Sequence, residues 1–234
     1  MIRRLVLFDI DGTLLLSGGA GRRAIMAAMS DLLPSSPGTE SVRFDGKTDP
    51  QIVTELLAAG GDPEPGNPGR IAAVLDRYIA CLEHELSNGG PPSEVMPGVH
   101  ELLDALERES TVVLGLLTGN VAPGANLKLR AAGIAPARFR VGAYGSDSAH
   151  RPELPPIAAR RATSHFGRVP AGHEVVIIGD TPADVTCGAS IGARAIAVAT
   201  GGYSVEELSA HAPWRAYPDL ADTAQVLEAI LGDG

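Results

Sequence analysis

The chain has 234 residues, 44% of them hydrophobic, and 28 acidic against 19 basic side chains give a formal charge of −9. That length suits one large domain, or a core carrying a smaller insertion. The acidic balance argues against nucleic acid or an anionic membrane as partner, and no apolar run approaches the roughly 20 residues of a membrane helix.

In chain order, the opening MIRRLVLFDIDG has a basic pair and a short apolar run, as a secretion signal does. It leads into acidic residues instead of a small-residue cleavage site, so it reads as a buried strand over 5–8. Helical patterns follow at 19–33, 50–59 and 68–87, the last with Ile71, Val74, Leu75, Tyr78, Ile79 and Leu82 at helical spacing and no strand between them. Glycine- and proline-rich joints at 17–19 and 88–98 flank this block. Beyond it, helix 99–109, strand 112–117, helix 124–132, a weaker strand within 139–144, helix 153–166, strand 175–178, helix 182–191, strand 195–199 and helix 221–231 alternate. Short apolar strands alternating with helices predict an α/β fold, a parallel sheet covered by helices on both faces. The helical block predicts a separate domain over 17–94, inserted into a discontinuous core of 1–16 and 95–234.

Chemistry gathers at the predicted strand ends. Asp9-Ile10-Asp11-Gly12-Thr13 closes the first strand, and residues two apart on extended chain point the same way, so Asp9 and Asp11 share a side. Two carboxylates that close stay ionised only beside a cation. Thr118-Gly119-Asn120 ends the second long strand and feeds a helix, offering a hydroxyl and backbone N–H groups to an anion. Gly179-Asp180-Thr181-Pro182-Ala183-Asp184 brings two more carboxylates, with His150-Arg151-Pro152 ahead of a helix between them. The C-terminal edge of a parallel sheet is where open α/β folds bind ligands. A turn explains D-G alone, but scaffolding does not explain four acids, a hydroxyl and a guanidinium at one edge.

These four segments, in this order, resemble the motifs of the haloacid dehalogenase-like hydrolase superfamily, and they span nearly the whole chain. The resemblance implies a Rossmann-like core with an inserted α-helical cap. It implies that Asp9 attacks phosphorus to form an aspartyl-phosphate, and that Asp11 protonates the leaving group and then deprotonates water. Thr118, Gly119, Asn120 and Arg151 would bind the phosphoryl group. Asp180, the Asp9 carboxylate and the Asp11 carbonyl would hold Mg2+, with Asp184 supporting the metal through water or a hydrogen bond. The family usually has lysine where this chain has Arg151, a substitution that fits a chain with only two lysines, Lys47 and Lys128. Lys128 reads as a solvated helix residue.

The expected reaction is hydrolysis of a small phosphorylated molecule, with specificity nearest to phosphoglycolate phosphatases. A phosphosugar mutase or a phosphonate hydrolase could use the same core, while a dehalogenase has no need of Asp11. A non-catalytic interaction protein would have lost motif acids, and none is missing. Gly46-Lys47-Thr48 suggests a P-loop, but Ser41 stands where its leading glycine belongs, so the segment reads as a cap loop whose Lys47 meets an anionic part of the substrate. Gly18-Gly19-Ala20-Gly21 reads as a hinge, not a dinucleotide loop. Arg22 and Arg23 face apart on one helix, so at most one serves the site. The six histidines show no metal spacing, Trp214 reads as packing, and Cys81 and Cys187 read as small buried residues of a cytoplasmic protein. A monomer or homodimer is expected.

Overall fold

The computed structural model describes residues 2–30, 39–88 and 90–232. Strand β1 (Arg4–Phe8) enters the centre of the sheet and leads to a two-residue strand β2 (Leu15–Leu16). Helices α1 (Ala20–Met29), α2 (Asp49–Ala59) and α3 (Pro68–Ser87) follow, and then β3 (Glu94–Val95), which pairs antiparallel with β2. The chain continues through α4 (Val99–Arg108), β4 (Val112–Thr118), α5 (Ala122–Ala131), β5 (Val141–Tyr144), α6 (Leu154–Arg161) and α7 (Thr163–Phe166). It ends with β6 (Val175–Gly179), α8 (Pro182–Cys187), β7 (Arg194–Val198), α9 (Val205–Ser209), β8 (Arg215–Tyr217) and α10 (Thr223–Leu231).

Six strands form one parallel sheet in the order β5-β4-β1-β6-β7-β8. The first strand shows why the apolar runs are continuous and not alternating. Val6 and Phe8 enter one core cluster with Leu102, Leu106, Leu129 and Val226, while Leu5 and Leu7 enter another with Leu154, Ala158 and Cys187. Successive side chains of a strand point to opposite faces, and helices cover both, so every position must be apolar. The order reverses beside β1, at a switch point where a crevice opens beyond the strand ends.

Helices α1, α2 and α3 bury a third cluster, including Ile25, Leu56, Val74, Tyr78 and Leu82. Val121, which precedes α5, joins it. The helical layer therefore rests on the start of α5.

Several elements differ from expectation. The ribbon of β2 and β3, which joins core to helical layer, escapes detection because two residues cannot show a period. Strand β8 is likewise missed: at three residues, beginning with Arg215, it forms an edge with little apolar signal. The expected helix 153–166 is α6 and α7, preceded by a 3-10 turn over Arg151–Glu153; α8 gives way at Cys187 to a 3-10 turn over Gly188–Ile191. Of the expected helix 19–33, the positions past 30 lie outside the described residues, as does Gly89 of the expected joint. No described helix is long and apolar enough to cross a membrane.

At the opposite end of the sheet, Arg4 is 1% exposed. Its Nε donates to the Ile230 carbonyl at 3.0 Å, and Nη2 donates to those of Leu231 (3.3 Å) and Gly232 (3.1 Å). A guanidinium is well suited to the unsatisfied carbonyls at a helix C-terminus.

Candidate active site

The site lies where β1, β4 and β6 end beneath the helical layer. Asp9 follows β1, and its backbone N–H donates to the Ile178 carbonyl at 2.9 Å, extending the ladder to the crevice. Gly12 then turns the chain with φ +84, and a Cβ there would strike the Asp180 carboxylate. Thr13 Oγ1 donates to Asp180 Oδ1 at 3.0 Å, tying the first loop to the end of β6.

Asp9, Asp180 and Asp184 are 6%, 4% and 1% exposed, and each offers an oxygen within 4.8 Å of the others. Arg151 joins them: Nη2 lies 3.1 Å from Asp9 Oδ1 and also donates to Asp184 Oδ1. Asp184 Oδ2 accepts from the Thr181 amide at 3.1 Å and hydroxyl at 2.6 Å, so both of its oxygens are engaged. Three carboxylates against one guanidinium leave an excess of negative charge in a buried space. Burial, with Asp184 and Asp11 adding to it against the pull of Arg151, pushes the Asp9 carboxyl up to about 7. Burial and the charges of Asp184 and Asp9 push Asp180 well above the usual carboxylate range. A hard divalent cation fits this donor set, because it would offset the excess and take oxygen ligands.

Asp11 stands apart from that trio. Its Oδ2 accepts from Asn120 Nδ2 at 2.8 Å, and both oxygens accept from Lys128 Nζ, at 2.8 and 2.7 Å. The reading of Lys128 as a solvated residue is wrong, since it is 4% exposed and points into the site. A signal was present: Ala125 and Leu129 are buried on α5, which puts position 128 on the flank of the inward face, where a long stem buries easily. Asn120 Nδ2 also donates to Thr118 Oγ1 at 2.8 Å, and the Asn120 amide does so at 3.3 Å.

The N-terminus of α5 receives an anion from the chain itself. Val121 N–H donates to Asp49 Oδ2 at 2.8 Å, and Asp49 N–H donates to the Gly119 carbonyl at 2.8 Å. Asp49 begins α2, so these bonds dock the helical layer onto the loop after β4. Gly119 must be glycine here, because a Cβ would collide with the Lys47 carbonyl oxygen. Burial pushes the Asp49 carboxyl up to about 6, against the opposing effects of Lys128 and the Val121 N–H. Sequence reasoning gave Asp49 no role. Its position at the end of the loop before α2 hid a buried acid that only the tertiary fold supplies with donors.

A cavity of about 550 Å³ extends from these groups beneath the helices. Asp9, Asp11, Thr118, Gly119, Asn120, Arg151, Asp180 and Lys47 all line it. Lys47 is ion-paired with Glu55. Thr48 caps α2, accepting from the Gln51 N–H at 3.3 Å, which accounts for the false P-loop. Arg22 lies 4.5 Å from the Phe44 ring centroid, also on the lining, while Arg23 turns to Glu85 at 2.7 Å. Two buried polar atoms of the lining residues lack a hydrogen-bond partner, Arg151 Nε and Tyr78 Oη. Away from the site, Trp214 packs between the guanidinium groups of Arg194 and Arg215, at 4.2 and 4.1 Å. Cys187 is buried, and Cys81 is only partly so.

A parallel α/β sheet with an acid cluster beyond its central strands defines an open-sheet protein with a ligand site at its strand ends, and comparison gives the family. Residues 3–192 match the model of the haloacid dehalogenase-like hydrolases, and the chain belongs to that family. The "Probable phosphatase IndB" of Dickeya dadantii (strain 3937) is 26% identical over 231 residues, covering 98% of this chain and 96% of that protein. Among solved structures, a hydrolase from Pseudomonas syringae superposes with a TM-score of 0.69 at 20% identity, covering 96% of this chain and 97% of its own. A predicted phosphoglycolate phosphatase from Haemophilus somnus 129pt gives 0.70 at 19% identity, covering 97% and 98%. At such identities the structural likeness establishes the fold.

Proposed function

We propose that this hydrolase is a magnesium-dependent phosphatase that cleaves a small organic phosphate monoester through an aspartyl-phosphate on Asp9. The observation that carries the reading is the convergence of Asp9, Asp180 and Asp184 around Arg151, whose buried Nε has no partner. The name of the Dickeya relative supports it. Asp9, Asp180 and the Asp11 carbonyl would hold Mg2+, while Asp184, with both oxygens already bonded, would support the metal indirectly. When bound, the ion neutralises phosphoryl charge and polarises a phosphoryl oxygen.

The chain's own groups supply the remaining steps. Arg151 Nε is a donor in search of an acceptor, which a phosphoryl oxygen provides. Thr118 Oγ1 accepts two bonds from Asn120, so its own proton is left to donate to the same group. Asp9 attacks phosphorus as the ester P–O bond breaks, and Asp11 gives its proton to the departing oxygen. Asp11 then takes a proton from water, whose oxygen displaces Asp9 from phosphorus. The helical layer excludes bulk water while this occurs. The division of the chain into a core of 1–16 and 95–234 and a cap of 17–94 belongs to this reading, and so does a contact of Lys47 with the distal part of the substrate.

A panel of phosphate esters incubated with purified protein and Mg2+ tests the proposal by phosphate release. Wild type should turn over at least one alkyl phosphate, chelation should abolish turnover, and Asp9→Asn should lower kcat by at least about 10³-fold, since an amide cannot serve as the nucleophile. Undiminished turnover by Asp9→Asn would refute the mechanism. Isomerised phosphosugar in place of free phosphate would turn the reading toward a mutase.

A further inference from the structure

Lys128 is used by none of the steps above, yet its ammonium is fully engaged in the crevice. An ammonium has three N–H donors. Here one goes to Asp11 Oδ1 at 2.8 Å, one to Asp11 Oδ2 at 2.7 Å and one to Asn120 Oδ1 at 2.6 Å. No donor remains for a substrate. The side chain is 5% exposed, whereas that of its partner Asp11 is 39% exposed. The solvated carboxylate is thus gripped by a buried cation.

From this geometry we infer that Lys128 is a positioning residue, fixing the Asp11 carboxyl against the ester oxygen. The inference rests on the role given to Asp11 under the proposed function. Three features favour positioning over bulk stability. Asp11 does not belong to the Asp9, Asp180 and Asp184 cluster, so a metal there would not orient its side chain. Asn120 links the grip to the phosphoryl side, because Nδ2 donates to both Asp11 Oδ2 and Thr118 Oγ1 at 2.8 Å. The place for the ammonium is also kept open from the helical layer, where a Cβ on Gly21 would come within 3.2 Å of Nζ. A chain of hydrogen bonds therefore runs from Thr118 through Asn120 and Lys128 to Asp11. It sets the distance between the group that binds phosphorus and the group that handles the proton. Lys128 itself neither gains nor loses a proton. The proton passes from Asp11 to the departing alkoxide, and later from water to Asp11.

Misplacing a general acid hurts most where the leaving group needs its proton. The test compares wild type with Lys128→Met and Lys128→Arg, in full-length protein with Mg2+, on the best alkyl phosphate of the panel and on p-nitrophenyl phosphate. We expect Lys128→Met to lower kcat on the alkyl ester by about 10²-fold, with KM changing less than about threefold, and kcat on the nitrophenyl ester by less than about tenfold. Lys128→Arg, which keeps the charge, should recover part of the alkyl-ester rate. Equal losses on both esters, no loss, or a loss confined to KM would each overturn the inference. If Lys128→Met fails to unfold cooperatively, Lys128→Arg decides the matter by the same ratio of the two esters. Wild type inactive on every ester would instead refute the phosphatase reading, so the two failures are distinguishable.

Discussion

Asp49 offers a quantitative check on the docking of the helical layer, through the replacement Asp49→Asn. The carboxyl is 6% exposed and accepts the Val121 N–H at 2.8 Å. Burial raises it from an ordinary value of 3.8 to about 6, and Lys128 and the Val121 N–H only partly offset that. The folded protein therefore holds this proton more tightly than the unfolded chain does. Its contribution to stability is full below the ordinary value and is lost as pH rises through about 6. At about 1.4 kcal/mol per tenfold, the loss between pH 4 and neutrality is on the order of 3 kcal/mol. Asparagine keeps an acceptor for Val121 and carries no charge, so the variant lacks this loss. Urea unfolding of both proteins from pH 4 to 7.5, with EDTA present, should show the difference in stability moving in favour of Asp49→Asn by up to about 3 kcal/mol, mostly by pH 6.5. Groups common to both proteins cancel in the comparison. A difference that stays constant with pH would mean that Asp49 ionises as it does in water, and that the burial argument is wrong.

Two further substitutions probe the same surface. Gly119→Ala places a methyl against the Lys47 carbonyl and should force the cap loop outward, raising KM on the best ester and costing about 1–3 kcal/mol in urea unfolding; an unchanged KM would show that the loop yields freely. Lys47→Met should raise KM for a substrate with a second anionic group more than for a neutral one, by no more than about fivefold, because Glu55 already pairs with the ammonium and the pair is partly exposed. Equal effects on the two substrates in steady-state assays would remove Lys47 from substrate recognition.

The parallel sheet was legible because its central strands are covered on both faces, and continuous runs such as Leu5–Phe8 need no partner to be recognised. Residues placed by strand ends were legible as well. Asp9, Thr118 and Asp180 follow β1, complete β4 and follow β6, and adjacent parallel strands carry them to one edge. Arg151 required more than pattern, since it lies on a 3-10 turn and its approach to Asp9 depends on packing against α8. Lys128 and Asp49 were harder to read for a common reason. Each is a charged residue on a helix, where local pattern favours solvent, and each is buried only because an element distant in sequence supplies its partners. The short strands β2, β3 and β8 were hidden by length alone.

The grip of Arg4 on the carbonyls of residues 230–232 has a consequence for the timing of assembly. The strand that delivers Asp9 leaves the ribosome well before its neighbours β4 and β6, which begin at Val112 and Val175, and the carbonyls that satisfy its arginine are made later still. Such distant pairings cost loop-closure entropy before they repay it, which slows folding. Until α10 docks, a strand made almost wholly of apolar residues has a guanidinium at its base with nowhere dry to go. The hydration of that charge resists premature burial of the strand, and so acts against sticky intermediates while the rest of the sheet is synthesised.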